Sequence, residues 1–452
     1  MPTGLIAVII ICIVIVGAIT TKRCTEFLFL GAILGAIALY GTGMPMAFVE
    51  ILETVVGDAD NVWLWLVCGL FGSLIALLTA SRGTFGFQKI IQKICKTDRV
   101  TGLAAFVLGI LIFVDDYLNV LTVGICMRGL YDKRKMPREA LAYVLDSTGA
   151  PVCVLLPVST WAVFYANLFY AEDYVSSNFA SAMGAYISAI PFCFYPFIAL
   201  LFVFLFCMGW MPKLGAMKKA YKRVEETGMV YSENSKKYNM GEEEEGGDGN
   251  IWDFLIPILA LVFIGIFSGE ILLGVLASLV ICLVMYVPRK LMTMEEFFNH
   301  MIEGFGTMLG VFFMLVGAFS LAHVCGELGL TEYLISLVSD FITPTVFPAV
   351  AFLLLSVLAF VTGSNWGMSA VVIPILVPMA QALDANIILT MAAIISGGVF
   401  GSHACFYTDA TILSSNAARI ENMEHALSQW PYVFIAAALS TVCFLVCGFV
   451  MT

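Results

Sequence analysis

Apolar runs close to twenty residues long follow one another along the chain, each closed by a short polar or charged stretch. About 20 apolar residues is the length of helix that crosses the hydrocarbon core of a bilayer. The pattern therefore predicts an all-α polytopic membrane protein. Two runs are too long for one helix and are interrupted at their middles. Thr101 to Met127 is broken by the adjacent acids Asp115 and Asp116, and Phe347 to Ala382 by Thr362-Gly-Ser-Asn-Trp-Gly367. A charge in hydrocarbon costs at least roughly 2.5 kcal/mol. Paired acids at such a place point to a cation or proton site in a transporter rather than to structural filler.

Charge between the runs predicts the topology. Arg82 to Arg99, Arg128 to Arg138 and Lys213 to Arg223 are basic, while Glu50 to Asp60 and Glu172 to Asp173 carry only acids. Basic loops stay cytoplasmic. With the basic set inside, residues 101–127 begin and end on one side, which predicts a re-entrant hairpin with Asp115 and Asp116 at its tip. The second interrupted run lies between stretches with acids and no bases, so its hairpin (347–382) enters from outside. Short matches support duplication: Arg82-Gly-Thr-Phe-Gly-Phe87 with Cys325-Gly-Glu-Leu-Gly-Leu330, and Asp146-Ser-Thr148 with Asp409-Ala-Thr411. Together these predict an inverted-topology repeat with about ten transmembrane helices beside the hairpins. The first repeat is 1–212, with a broken helix over 140–165. A cytoplasmic linker covers 213–250, and the second repeat is 251–452, with a broken helix over 388–418. The alternative, two ordinary short spans in place of each hairpin, changes the parity of both halves. Leu5 to Ile19, followed rather than preceded by Lys22 and Arg23, is expected to be a retained first helix with its N-terminus outside.

Composition narrows the function class. The 452 residues are 61% hydrophobic and 12% charged, a balance no soluble domain has. The 13 cysteines are scattered through apolar runs without CxxC or Cys/His metal spacing, and no Walker A motif is present. An enzyme, a nucleic-acid partner and a bound cofactor are not expected. Much of the net charge of −11 comes from the tract Gly241 to Asn250, which reads as solvated linker.

The polar residues gather in four places. Pro151 and Pro157 follow Asp146, Ser147, Thr148 and Gly149, so the helix is expected to break beside them. A break at the midplane frees carbonyls for a cation and amides for an anion; the alternative is a simple proline kink. In the mirror segment, Asp409, Thr411, Ser414 and Ser415 offer hard oxygen ligands, and sodium is expected to bind through Asp146, Asp409 and neighbouring carbonyls. His403 is either a proton carrier or a satisfied hydrogen-bonding residue. Asn119 joins Asp115 and Asp116 as an ion or proton ligand at the first tip. At the second tip Thr362, Gly363, Ser364, Asn365 and Trp366 are candidate solute contacts, with Ser147 and Tyr407.

Phe113-Val-Asp-Asp-Tyr-Leu-Asn-Val-Leu-Thr-Val-Gly124, Leu141-Ala-Tyr-Val-Leu-Asp-Ser-Thr-Gly-Ala-Pro-Val-Cys153, Thr362-Gly-Ser-Asn-Trp-Gly367 and Phe400-Gly-Ser-His with Thr408-Asp-Ala-Thr-Ile-Leu-Ser-Ser415 resemble the NhaC-type sodium/proton antiporter family of the ion-transporter superfamily. The resemblance implies a homodimer in a prokaryotic cytoplasmic membrane, with a transport domain that moves like an elevator past a scaffold. It also implies exchange of sodium for protons by alternating access, or ion-coupled movement of an amino acid or carboxylate. One departure bears on cargo. The family's second-half pattern reads Gly-Asp-His-Cys-Ser-Pro-x-Ser-Asp-Thr-Thr, whereas here Ser402, Phe406 and Ala410 stand for its first acid, its proline and a threonine. The lost acid and added aromatic bulk favour an organic substrate more than in a standard member.

Overall fold

The computed structural model describes residues 3–451 apart from 22, 84–85, 87–90, 92–93, 240–248, 269, 331–332, 334–341, 364 and 407. Of the expected features, most of the acidic tract, Ser364 and Tyr407 lie outside the described residues. All regular elements among the described residues are helical. In chain order the helices are α1 Thr3–Thr21, α2 Cys24–Tyr40, α3 Met44–Gly57, α4 Ala59–Ala80, α5 Asp98–Leu111, α6 Asp116–Lys133, α7 Arg138–Thr148, α8 Ala150–Cys153, α9 Thr160–Tyr170, α10 Asp173–Asn178 and α11 Ala182–Ala189. They continue with α12 Phe194–Cys207, α13 Gly215–Thr227, α14 Trp252–Ser268, α15 Ile271–Tyr286, α16 Met294–Thr307, α17 Leu309–Glu327, α18 Phe347–Thr362, α19 Asn365–Ala382, α20 Ile387–Ala404, α21 Asp409–Ala418 and α22 Asn422–Met451.

Among the described residues, six helices are long and apolar enough to cross a membrane, or seven if the bent pair ending in α12 is one span. That number makes this a multi-pass membrane protein. Four further apolar helices run 10–17 residues. They leave the expected ten spans unassigned by length alone, because a short helix fits a hairpin arm as well as a tilted span.

Each interruption in the apolar pattern falls at a helix boundary with a local cause. Asp115 is the N-cap of α6, its carboxylate accepting from the Leu118 amide, and Asp116 is the first residue of that helix, so the acid pair starts α6 directly after the turn from α5. Gly363, with φ 67°, ends α18 in the left-handed region that glycine tolerates, ahead of α19. After Gly149 the chain makes the single turn α8, then runs without regular structure to Ser159, whose hydroxyl accepts from the Ala162 amide and starts α9. Between α20 and α21, Thr408 does the same for α21 through the Thr411 amide.

The helices pack in two groups. In the first, α4 lies on α16, α2 on α1 and α17, and α15 on α14 and α4. In the second, α5 and α6 pack on α7, and α18 and α19 on α20; α12 and α22 pack on each other and on these helices. The main links between the groups are α4 to α9 and α17 to α19. The α4–α16 crossing is a backbone contact. A Cβ on Gly72 would overlap the Gly304 carbonyl, one on Gly304 would overlap the Gly72 carbonyl, and one on Gly69 would enter the Phe305 ring. Such small-residue contacts are how helices associate in lipid, where no hydrophobic drive separates helix from tail.

Part of the linker is structured. Helix α13 buries Met217, Ala220 and Val224 and packs on α22. Arg223 forms a two-pronged pair with buried Glu139 at 2.8 and 2.9 Å, and Ser232 and Ser235 both donate to Glu424. A buried bidentate pair of this kind orients the groups it joins. The residues after α12 thus form a strap over the starts of α7 and α22.

Gly72→Ala should destabilise the protein by about 1–3 kcal/mol, the usual cost of overpacking. Gly129→Ala, where nothing lies within 4 Å of the added methyl, should be neutral or slightly stabilising. Thermal melts of the purified protein in detergent measure both.

Candidate transport site

The first tip is held by Asn119. Its side-chain amide lies 2.9 Å from the Ile112 carbonyl and 3.0 Å from that of Thr148, and also within reach of Gly109. It joins the end of α5, the turn and the end of α7. Carbonyls at helix ends have no intrahelical donor, and leaving one unpaired in a membrane costs several kcal/mol. The helices meet closely here, since a Cβ on Gly109 would overlap the Thr148 hydroxyl. Thr148 itself donates to the Val144 carbonyl one turn back, so its hydroxyl is engaged within α7.

The acid pair divides its duties. The second oxygen of Asp115 accepts from Thr160 at 3.1 Å, tying the first tip to the start of α9. Asp116 is 5% exposed, and its Oδ1 has no partner among the described residues. A Cβ added at Gly149, at the break, would lie 3.7 Å from the Asp116 Cβ. Asp409, at the start of α21, is exposed and accepts from the Tyr117 hydroxyl.

A cavity of about 480 Å³ lies where the two groups of helices face each other. Asp115, Tyr117, Thr160, Trp366 and Asp409 line it from the second group, and α4 and Thr307 to Met314 from the first. Its described lining includes two carboxylates and no basic side chain. Trp366 packs edge-on against Phe164, with ring centroids 4.3 Å apart, and leans on Trp161. Among the described residues of the second tip, Trp366 reaches this wall. Asn365 turns inward instead, where its carbonyl oxygen accepts from Tyr165 at 3.0 Å and from Ser369 at 3.3 Å. Gly398 of α20 makes room for that contact, since a Cβ there would overlap both Asn365 and Tyr165. Thr362 donates to the Leu358 carbonyl, and Gly363 ends the helix.

Asp146 belongs to a separate cluster. One of its oxygens is hydrogen-bonded to His425 at 2.9 Å, Gln429 at 2.8 Å and Thr411 at 3.2 Å. Gln429 also donates to the His403 carbonyl. The His403 ring is hydrogen-bonded at both nitrogens, to Ser147 at 3.0 Å and Tyr195 at 2.9 Å. Thus α7, α12, α20, α21 and α22 meet in one buried polar network. Ser414 is fully buried on α21, and its hydroxyl lacks a partner among the described residues.

The structure thus places Asp115 and Asp409 at one cavity with Asp116 just behind it. Asp146, Ser147, Thr411 and His403 lie in the neighbouring network, while Asn119 and Asn365 hold the tips. Sequence reasoning missed Tyr117, Thr160, Tyr165, Tyr195, His425 and Gln429. A signal existed for the last two, since His425 and Gln429 recur four residues apart in an apolar helix and so share one face. The tyrosines carried none.

The apolar helices, the broken helices and an acid-lined cavity between two bodies define a multi-pass membrane transport protein. The Na+/H+ antiporter family model matches residues 152–449, and the chain belongs to the Na+/H+ antiporter family. It is 28% identical to an uncharacterized protein of Haemophilus influenzae, over 96% of this chain and 89% of that one. Shorter stretches resemble the arginine/ornithine antiporter ArcD of Halobacterium salinarum, at 27% identity over 34% of this chain and 32% of the relative. The malate-2H(+)/Na(+)-lactate antiporter of Bacillus subtilis matches at 24% over 33% and 32%. The fold is similar to that of the YdaH transporter of Alcanivorax borkumensis, with TM-score 0.59 at 12% identity, covering 90% of this chain and 89% of that one.

Asn119→Ala should cost about 1–3 kcal/mol by stranding buried carbonyls, measured as a fall in melting temperature. Ser147→Ala, which removes one of two partners of a ring, should cost less.

Proposed function

We propose that the protein is a secondary active antiporter of a prokaryotic cytoplasmic membrane, exchanging Na+ for H+ by alternating access. The observation that carries this reading is the convergence of Asp115 and Asp409 on one cavity, with Asp116 buried behind and no basic side chain in the described lining. Carboxylates that bind either a cation or a proton, but not both at once, supply the competition that exchange requires. Asp115 and Asp409 bind Na+ from the cavity wall, with Thr160 and Tyr117 beside them. Asp116 carries the proton. Asp146, already bonded by three donors, holds the junction of α7 with α21 and α22.

The packing supports an inverted repeat and a moving body. The pairs α5–α7 and α18–α20 recur in the two halves, as do α1–α2 with α14–α15, and α12 with α22. The second group of helices carries the acids and both tips, and it meets the first at few places. We assign α4, α16 and their neighbours to a static scaffold, past which the second group slides to expose the cavity to either side.

One observation favours a second reading. A cavity of about 480 Å³ falls within the range of roughly 300–1,000 Å³ typical of small-molecule sites, and Trp366, Met308 and Met314 give it an apolar wall. On that reading an ion-coupled organic solute occupies it, as the names of the two antiporter relatives suggest for those proteins.

In proteoliposomes with an imposed pH gradient, added Na+ should dissipate the gradient, read with a pH-sensitive dye. Asp116→Asn should reduce that flux by at least about tenfold, equivalent to 1.4 kcal/mol. Absence of Na+-driven proton movement across a wide pH range would refute sodium/proton exchange. Under the solute reading, a metabolite raises the melting temperature only when Na+ or low pH is also present.

A further inference from the structure

The described walls of the Asp115–Asp409 cavity are rich in acceptors and poor in free donors. Tyr117, Thr160 and Thr307 carry hydroxyls there, and each donates within the chain. Tyr117 donates to Asp409, Thr160 to Asp115 at 3.1 Å, and Thr307 to the Gly304 carbonyl at 2.6 Å. The helices of the second group that begin at this wall are capped as well. Asp115 accepts from the Leu118 amide at the start of α6, Ser159 from Ala162 at the start of α9, and Thr408 from Thr411 at the start of α21. Helix starts attract anions through free amides, and here each has given one to a side chain of its own. The side-chain donors left on the described walls are the Trp366 indole and the Cys68 thiol.

This imbalance selects the charge of an occupant. A carboxylate placed here meets Asp115 and Asp409, with no basic side chain in the described lining to offset them. An unpaired charge taken out of water is costly. An ammonium group meets the opposite case, since it has only N–H donors to give and an ionised carboxylate only accepts. Behind the wall, the Oδ1 of buried Asp116 is a further acceptor with no partner among the described residues. The rest of the lining suits a hydrocarbon chain. Ile75, Met308 and Met314 stand on one side, and Trp366 on the other presents an indole, the ring that attracts cations best.

We propose that the solute of this cavity is a small organic cation, an alkylammonium ion without a carboxylate. It is held at Asp115 and Asp409 with its carbon chain against Trp366, Met308 and Met314. The assignment rests on the solute reading above and gives it a substrate class. Dicarboxylates are excluded. A zwitterion ranks second, because the start of α17, which has no side-chain cap, is the place where its carboxylate finds amides.

Three probes with the same four-carbon chain separate the charge classes: putrescine, a diamine; γ-aminobutyrate, a zwitterion; and succinate, a dianion. Each is titrated by equilibrium dialysis into the full chain in detergent, with Na+ present. Putrescine should bind at least about tenfold more tightly than γ-aminobutyrate, and succinate should not bind. Asp409→Asn, at an exposed position, should weaken putrescine by about tenfold. Succinate or γ-aminobutyrate binding as tightly as putrescine overturns the cation assignment and leaves the solute reading intact. Binding of none of the three overturns both. Putrescine affinity unchanged in Asp409→Asn overturns the placement at that carboxylate.

Discussion

The Asn119 amide is the contact on which the site depends. Helix ends and breaks leave carbonyls without helical donors, and inside a bilayer there is no water to supply them. One side chain reaches the end of α5, the following turn and the end of α7. That fixes the register of the first tip against the break at Gly149 and puts Asp116 beside it. The second tip is solved differently. Its asparagine accepts from Tyr165 and Ser369 rather than donating to carbonyls, and a glycine on α20 opens the space. The two turns thus differ in bonding, and only the first carries acids.

Much of this was legible in the order of polar and apolar residues. The interruptions at Asp115 and at Thr362 mark helix boundaries because an N-capping aspartate and a left-handed glycine are local signals. Pro151 following Asp146 marked a break, although the chain leaves helical geometry at Gly149 and again after Val154. Partners contributed from far along the chain were not legible. Tyr195 and His403 are 208 residues apart, and Asp146 and His425 are 279 apart. Nothing local distinguishes a tyrosine that caps a buried ring from one that packs. The charge pattern also concealed the strap, since a basic stretch reads as a solvated loop whether or not an arginine in it is paired with a buried glutamate.

The two groups of helices are built on opposite principles. At the α4–α16 crossing, glycines bring backbone against backbone, and dense packing of that kind resists deformation. Across the boundary with α9 and α19 the contact is a cavity edged by methionine, tryptophan and carboxylates. Small apolar residues such as Ala318 and Ala322 of α17 and Ala370 of α19, which line one cavity, present few directional bonds to break when one surface shifts past another. Polar bonds are concentrated instead within the second group, where a shift would cost several at once.

That concentration constrains how an ion can act on the structure. Asp116 faces the break, its Cβ 3.7 Å from where a Cβ on Gly149 would stand, and three residues before Gly149 on α7 Asp146 is hydrogen-bonded to residues of α21 and α22. Near the α7 end therefore stand a carboxylate with one oxygen unpartnered among the described residues and a carboxylate with three hydrogen-bond partners. Asp116 thus stands beside a backbone segment that leads, within one turn of α7, to the partners Thr411, His425 and Gln429. Asp409 lies two residues from Thr411 at the start of α21, so the cavity-facing acids and the buried network are joined at both ends by single turns of helix. Under the exchange proposed above, a group so tied would move as one body, and a cation at its edge would shift the balance between positions only by binding more tightly in one than in the other.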